Sequence, residues 1–155
     1  MHRFLLISGD KELIARVKLA LDPISTVMSS DPSIDDVKDV AGQFRPDGIL
    51  VDSDIRMGAR TAFERLALVR SWFPGLPMIV IGNESGAQLI LTAMRAGAQD
   101  FVDRDATQED IRSFFSTHGC SGIQDVRLAM KDSDGYAKVR SHRNLWHMVV
   151  QLSLL

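Results

Sequence analysis

The apolar run Ile49-Leu50-Val51 is opened by the turn Pro46-Asp47-Gly48 and ends on a carboxylate, Asp52. Three residues are too few for a helix face, and the run lacks the apolar–polar alternation of a half-exposed strand. It reads as a strand buried on both faces, as in the middle of a parallel sheet. In open sheets of that kind, sites form outside the carboxyl ends of the strands. Asp52 therefore stands where chemistry is expected, rather than merely capping the loop that follows.

The rest of the chain repeats the pattern. Phe4-Leu5-Leu6-Ile7 is a first buried strand ended by Ser8-Gly9-Asp10, and Leu13, Ile14, Val17 and Leu21 then recur at helical spacing up to Asp22-Pro23. Ile24 to Met28 is a weaker second strand. Asp31-Pro32 is expected to start the second helix, with Ile34, Val37, Val40, Ala41 and Phe44 on its buried face. Its acidic residues Asp35, Asp36 and Asp39 read as a solvated face near the positive end of the helix, not as a metal site. A third helix presents Ala62, Phe63, Leu66, Val69 and Phe73. Met78-Ile79-Val80-Ile81 is a fourth strand closing at Gly82-Asn83, and a helix from Gly86 to Ala96 ends at Gly97. Phe101-Val102 is a short fifth strand. Thr107 to Asp110 has the shape of a capping box, and Ile111, Phe114 and Phe115 follow on the last helix. Five strands alternating with five helices predict an α/β fold, a parallel sheet with helices on both faces.

Composition sets the outer bounds. A chain of 155 residues is one domain by length, and 45% hydrophobic content suffices for a core. The net charge of −2 gives no reason to expect nucleic acid. One cysteine, Cys120, excludes an internal disulfide and suits a reducing compartment. The four apolar residues after Met1-His2-Arg3 are too few for a signal peptide or a membrane span, so the chain is expected in the cytoplasm. Residues 119–155 differ in kind. They contain no Glu or Pro, five Lys/Arg against three Asp, and little periodicity before Leu145-Trp146-His147-Met148-Val149-Val150. The division expected is a domain over 1–118 followed by a tail over 119–155 without a core of its own.

Residues 3 to about 117 resemble a bacterial response-regulator receiver domain of the CheY-like type. Pro46 to Asp52 is similar to that family's third strand with its phospho-acceptor aspartate, and Ala93-Met94-Arg95-Ala96-Gly97-Ala98-Gln99-Asp100-Phe101-Val102 resembles its signature into strand five. The resemblance implies a three-layer αβα, doubly wound, flavodoxin-like sheet of order 2-1-3-4-5. It also implies a site: an acidic pair after strand one holding Mg²⁺, a hydroxyl after strand four, and a lysine after strand five contacting phosphoryl oxygens. Here the acidic pair falls on Ser8 and Gly9, with Asp10 one residue late. The hydroxyl falls on Gly82, and the lysine on Arg104, which keeps charge but not the compact ammonium. The chain therefore resembles a degenerate, or pseudo-, receiver with neither catalytic residues nor a metal or other cofactor. Mg²⁺ is expected only if Asp52 works as a phosphorelay acceptor.

Within that group, Asp100-Phe101-Val102-Asp103-Arg104-Asp105-Ala106-Thr107 resembles the N-terminal domain of the TadZ/CpaE proteins, which assist Flp-type (Tad) pilus assembly in bacteria and mark where it occurs. That family continues into an ATPase. No G-x-x-x-x-G-K-[ST] occurs here, and Gly119-Cys120-Ser121-Gly122 stands near where the phosphate loop would begin. Protein partners, a second copy of the chain among them, are implied for the face of helix four, strand five and helix five, here Gln88, Leu91, Arg95, Gln99, Phe101 and Ile111.

Other motifs carry less. Asp132-Ser133-Asp134-Gly135 has Ser141 where a calcium loop needs Glu, and reads as a polar turn. His142 and His147 are not spaced to share a helix face, so no zinc site is expected. Arg127, Lys131, Lys138, Arg140 and Arg143 read as solvating charge rather than a nucleic-acid stripe. The strand ends lack a G-x-G-x-x-G fingerprint for a dinucleotide. The expected function is a protein-interaction domain rather than an enzyme, with a working phosphorelay receiver as the competing reading. Since five βα units already close a core, limited proteolysis should trim the chain to a stable fragment ending near His118. A chain ended there that failed to fold, beside a cooperative full chain, would contradict the division.

Overall fold

The computed structural model describes residues 1–83 and 87–118. The short apolar runs form strands β1 (His2–Ile7), β2 (Ser25–Ser30), β3 (Gly48–Asp52), β4 (Met78–Gly82) and β5 (Asp100–Asp103). They alternate with helices α1 (Lys11–Leu21), α2 (Ile34–Phe44), α3 (Ala62–Trp72), α4 (Ala87–Arg95) and α5 (Gln108–His118). The sheet is parallel throughout, in the order β2-β1-β3-β4-β5. This is the doubly wound αβα architecture expected from the sequence.

The pure apolar runs follow from burial on both faces. Leu5, Ile7, Ile49, Val51, Met78, Val80 and Phe101 point to one side, against Val37 of α2, Leu66 and Val69 of α3, and Ile90 and Ala93 of α4. Phe4, Leu6, Leu50, Ile79, Ile81 and Val102 point to the other, against Leu13, Val17 and Leu21 of α1 and Ile111, Phe114 and Phe115 of α5. Phe115 meets Phe4 and Phe114 edge to face, with both centroid separations 5.0 Å.

Several boundaries and faces differ from the sequence reading. β2 runs on to Ser30, and α2 is capped by Ser33, not by Asp31. The Asp36 carboxylate turns back to accept from Ser30 Oγ (2.7 Å) and the Asp31 N–H (2.9 Å), so Asp31-Pro32 closes the strand. Ile34 and Phe63, expected in the core, are 41% and 45% exposed. The capping box at Thr107 and Asp110 is reciprocal, at 3.1 and 3.2 Å. Gly97 ends α4 at φ +98°, a conformation that L side chains rarely adopt.

Among the described residues no helix is long and apolar enough to cross a membrane. The motifs at Asp132–Gly135, His142 and His147, and the basic residues from Arg127 onward, lie outside the described residues, as does the tail as a unit.

Candidate functional site: an arginine-filled acid pocket

The parallel register brings Ser8, Asp52, Gly82 and Asp103 to one edge of the sheet. Ile7 pairs with Val51, Asp52 with Ile81, and Gly82 with Asp103. Backbone bonds extend the alignment one residue past the strands: Ser53 N donates to Ile81 O (2.8 Å) and Arg104 N to Gly82 O (2.9 Å). The residues after β1, β3 and β5 therefore face one another with no loop rearrangement.

Asp52 is 2% exposed. An ionised carboxylate at that depth needs a counter-charge and hydrogen bonds, or it costs several kcal/mol, roughly. Both of its oxygens are engaged. Oδ2 accepts from Ser8 Oγ (2.7 Å), and Oδ1 accepts from the Asp54 N–H (3.0 Å) and from Arg104 Nη1 (2.5 Å). Ser8 Oγ in turn accepts from the Asp10 N–H (3.0 Å).

Asp10 joins the pocket from the start of α1. It is the N-cap, its Oδ1 accepting from the backbone N–H groups of Glu12 (2.9 Å) and Leu13 (3.2 Å). Its other oxygen, Oδ2, accepts from Arg104 Nη2. The Arg104 fork thus spans two carboxylates from different elements, with Asp54 Oδ2 3.4 Å from Nη1 at the rim. The Leu13 amide and then the Arg104 guanidinium hold the Asp10 carboxyl below its usual range. Burial opposes the charge on Arg104, but the bonds to Asp52 and Asp10 outweigh it and keep the guanidinium more firmly protonated than usual.

Mg²⁺, which the receiver resemblance associates with this pocket, does not fit these residues. It asks for free oxygen ligands in near-octahedral array. The Asp52 oxygens are committed to Ser8, Asp54 and Arg104, and Asp10 is divided between its helix and Arg104. Among the described residues no group of three or more His, Cys, Asp or Glu is disposed to hold a metal ion.

At the hydroxyl position, a Cβ on Gly82 would press on Ser53 Oγ at a separation no real Cβ shows, and lie 3.1 Å from Leu89 and Phe101 side-chain atoms. The Ser53 hydroxyl occupies the space a residue-82 side chain would need, buried and without a hydrogen-bond partner among the described residues. Sequence reasoning passed over Ser53. Its signal is the pairing of a small hydroxyl beside Asp52 with a glycine at the end of β4, two positions 29 apart whose adjacency only the register reveals.

The expected interaction face divides. Gln88, Arg95 and Gln99 are exposed and Leu91 is half-buried, so these four can meet a partner. Phe101 and Ile111 cannot, and the expectation is corrected there. Phe101 is 0% exposed in the core beneath α3 and α4, beside Gly82. Ile111 is packed with Phe114 and Phe115 under the sheet's other face. β5 lies at the sheet edge, but helices cover both of its faces, so its apolar residues turn inward.

Two outcomes follow. Gly82→Ser should destabilise the fold by about 1–3 kcal/mol through overpacking, and Ser53→Ala in the same chain should recover most of it. Urea unfolding of the four proteins in that cycle checks this, and additive effects would refute the shared space. For Asp10, the folded-state carboxyl is depressed, so its contribution is present above the unfolded value and lost as pH falls through the folded one. Asp10→Asn keeps a capping side chain but loses the charge. It should flatten the fall in stability below about pH 4, followed by thermal melting against pH.

The chain matches no protein-family model and no curated protein. Solved structures do resemble it. The chemotaxis response regulator CheY4 of Vibrio cholerae superposes with a TM-score of 0.61 at 19% identity, over 76% of this chain and 98% of that one. NtrX from Brucella abortus gives 0.67 at 16% identity, over 81% of this chain but 29% of that chain. A CheY-like protein, TadZ, from Pseudomonas aeruginosa PAO1 gives 0.61 at 18% identity, over 76% and 92%. With the sheet order and the five βα units, these likenesses establish the fold as that of a CheY-like receiver domain.

Proposed function

We propose that this chain is a non-enzymatic, receiver-type protein-interaction domain whose acceptor position, Asp52, is closed by Arg104. We propose further that it serves as TadZ-type receivers do, localising or scaffolding Flp/Tad pilus assembly. The observation that carries the first part is the guanidinium spanning Asp52 and Asp10. Phosphoryl transfer to a carboxylate needs a free attacking oxygen and a cation able to bind the incoming phosphate. Here the attacking oxygens are occupied, and the cation is tethered by its own side chain with its donors turned to carboxylates. A fixed internal cation gives the electrostatic balance of a loaded pocket without an exchangeable ion.

Support for the TadZ-type assignment comes from the Asp100–Thr107 motif and from the likeness to the solved TadZ receiver. Partner binding is assigned to the exposed part of the α4–β5 side, at Gln88, Leu91, Arg95 and Gln99, with a second copy of this chain or another protein as occupant. Neither nucleic acid nor membrane insertion has a part in this reading. A working phosphorelay receiver is the second reading. It draws on the placement of Asp52 at the end of β3 with Asp10 and Asp54 near the same cation.

Acetyl phosphate or beryllofluoride with millimolar Mg²⁺ should leave Asp52 unmodified, as read by intact-protein mass spectrometry and by fluorine NMR respectively. Asp52→Ala should leave self-association or partner binding intact, while Leu91→Glu should weaken it. Arg104→Ala removes the internal cation and leaves carboxylates facing one another, so Mg²⁺ should raise the melting temperature of that variant and leave the parent unchanged. Mg²⁺-dependent modification of Asp52 in the parent, with an association that requires it, would favour the phosphorelay reading.

A further inference from the structure

α3 leaves apolar surface at the margin of the core: its Trp72, and Met57 in the loop before it, pack against the buried cluster but stay only half-buried. Leu66 and Val69 are buried against the sheet, while Leu68 and Trp72, one turn apart, lie half-buried on a different side of the helix. A helix apolar on several sides is normally covered on several sides. α3 leans on α4, and whatever contact it makes with α2 is too slight to close the space between them. An open groove of about 600 Å³ lies there, with Met57, Leu68 and Trp72 on one side and Ile34, the first residue of α2, on the other.

The groove's charge has a sign. Arg56 and Arg60, both exposed, line it from the loop after β3. Among the described residues neither has a carboxylate within ion-pair distance. Arg60 donates to Met57 O (3.1 Å). The neighbouring Glu64 accepts from the Thr61 N–H (2.7 Å), and that bond, with a smaller contribution from the Arg60 charge, holds its carboxyl below the usual range without an ion pair forming. The acidic lining residue, Asp31, belongs to the β2–α2 turn rather than to the loop that carries the arginines.

We infer that this groove docks a partner protein through a short segment that is both apolar and acidic. An aliphatic or aromatic side chain lies against Met57 and Trp72, and a flanking carboxylate is held by Arg56 and Arg60. Guanidinium forks match carboxylates in pairs, and aromatic anchors beside arginines are the usual centres of binding energy at interfaces. The groove is open to solvent, which suits a length of polypeptide better than a small molecule, since small-molecule pockets generally enclose their ligand on most sides. The site is distinct from the Asp52 pocket and does not depend on the state of Asp52.

The test is selection of a random short-peptide phage library on the immobilised full chain. The isolates are then titrated against the Trp146→Phe chain, in which Trp72 is the remaining tryptophan. Enriched sequences should pair Leu, Phe or Trp with Asp or Glu, shift Trp72 fluorescence on binding, and bind less tightly as salt rises. Arg56→Glu with Arg60→Glu should weaken them about tenfold or more, and a lysine-flanked version of the same peptide should regain affinity for the charge-reversed chain. Both arginines are exposed, so unchanged thermal melting of that variant establishes that folding is intact. Recovery of no acid-flanked apolar sequence, or of one whose affinity the double reversal leaves unchanged, would overturn the inference.

Discussion

The structure turns on a buried negative charge. Asp52 sits at the end of the central strand, where the sheet and its helices exclude water, and a carboxylate there is stable only with its charge compensated. The compensation comes from Arg104, delivered by the residue after β5, while Ser8 and the Asp54 amide complete the hydrogen bonds. Other features of this edge follow from that demand. Asp10 divides its oxygens between capping α1 and steadying the same guanidinium, so the first helix is tied to the fifth strand through the pocket. Replacing such a pair by apolar groups can be neutral or better for stability, whereas removing one member is expensive.

Much of the fold is legible in the sequence, and for a physical reason. Strands covered on both faces must be apolar without interruption, so Phe4–Ile7, Ile49–Val51 and Met78–Ile81 stand out against the helical spacing between them. Helix ends are legible where a side chain satisfies the backbone locally, as at Thr107 with Asp110 or at Gly97. Legibility fails where a local signal competes with a slightly less local one. Asp31-Pro32 has the composition of a helix start, yet Asp36 draws the Asp31 amide back onto the strand, and Ser33 becomes the cap.

The site was legible only in outline. Asp52 and Arg104 were identifiable as positions, but 52 residues separate them in the chain and nothing local records that they touch. Asp10 looked misplaced by one residue when counted along the strand. Its position at the turn into α1 brings one carboxylate oxygen to Arg104 while the other caps the helix. Phe101 failed for a different reason. The family resemblance implies a binding face on the α4–β5–α5 side but not which side chains reach its surface, and helices on both sides of β5 turn Phe101 into the core.

The exchange of space between Ser53 and Gly82 bears on how such a pocket can change over generations. A side chain placed at position 82 collides with Ser53 Oγ, whereas a smaller residue at 53 removes both that obstacle and a buried hydroxyl that has no hydrogen-bond partner among the described residues. A change at 82 is therefore penalised while Ser53 stands and tolerated once position 53 is smaller. Two positions that no local sequence pattern links thus have to be altered in a fixed order, 53 before 82, for this end of the sheet to accept a larger side chain.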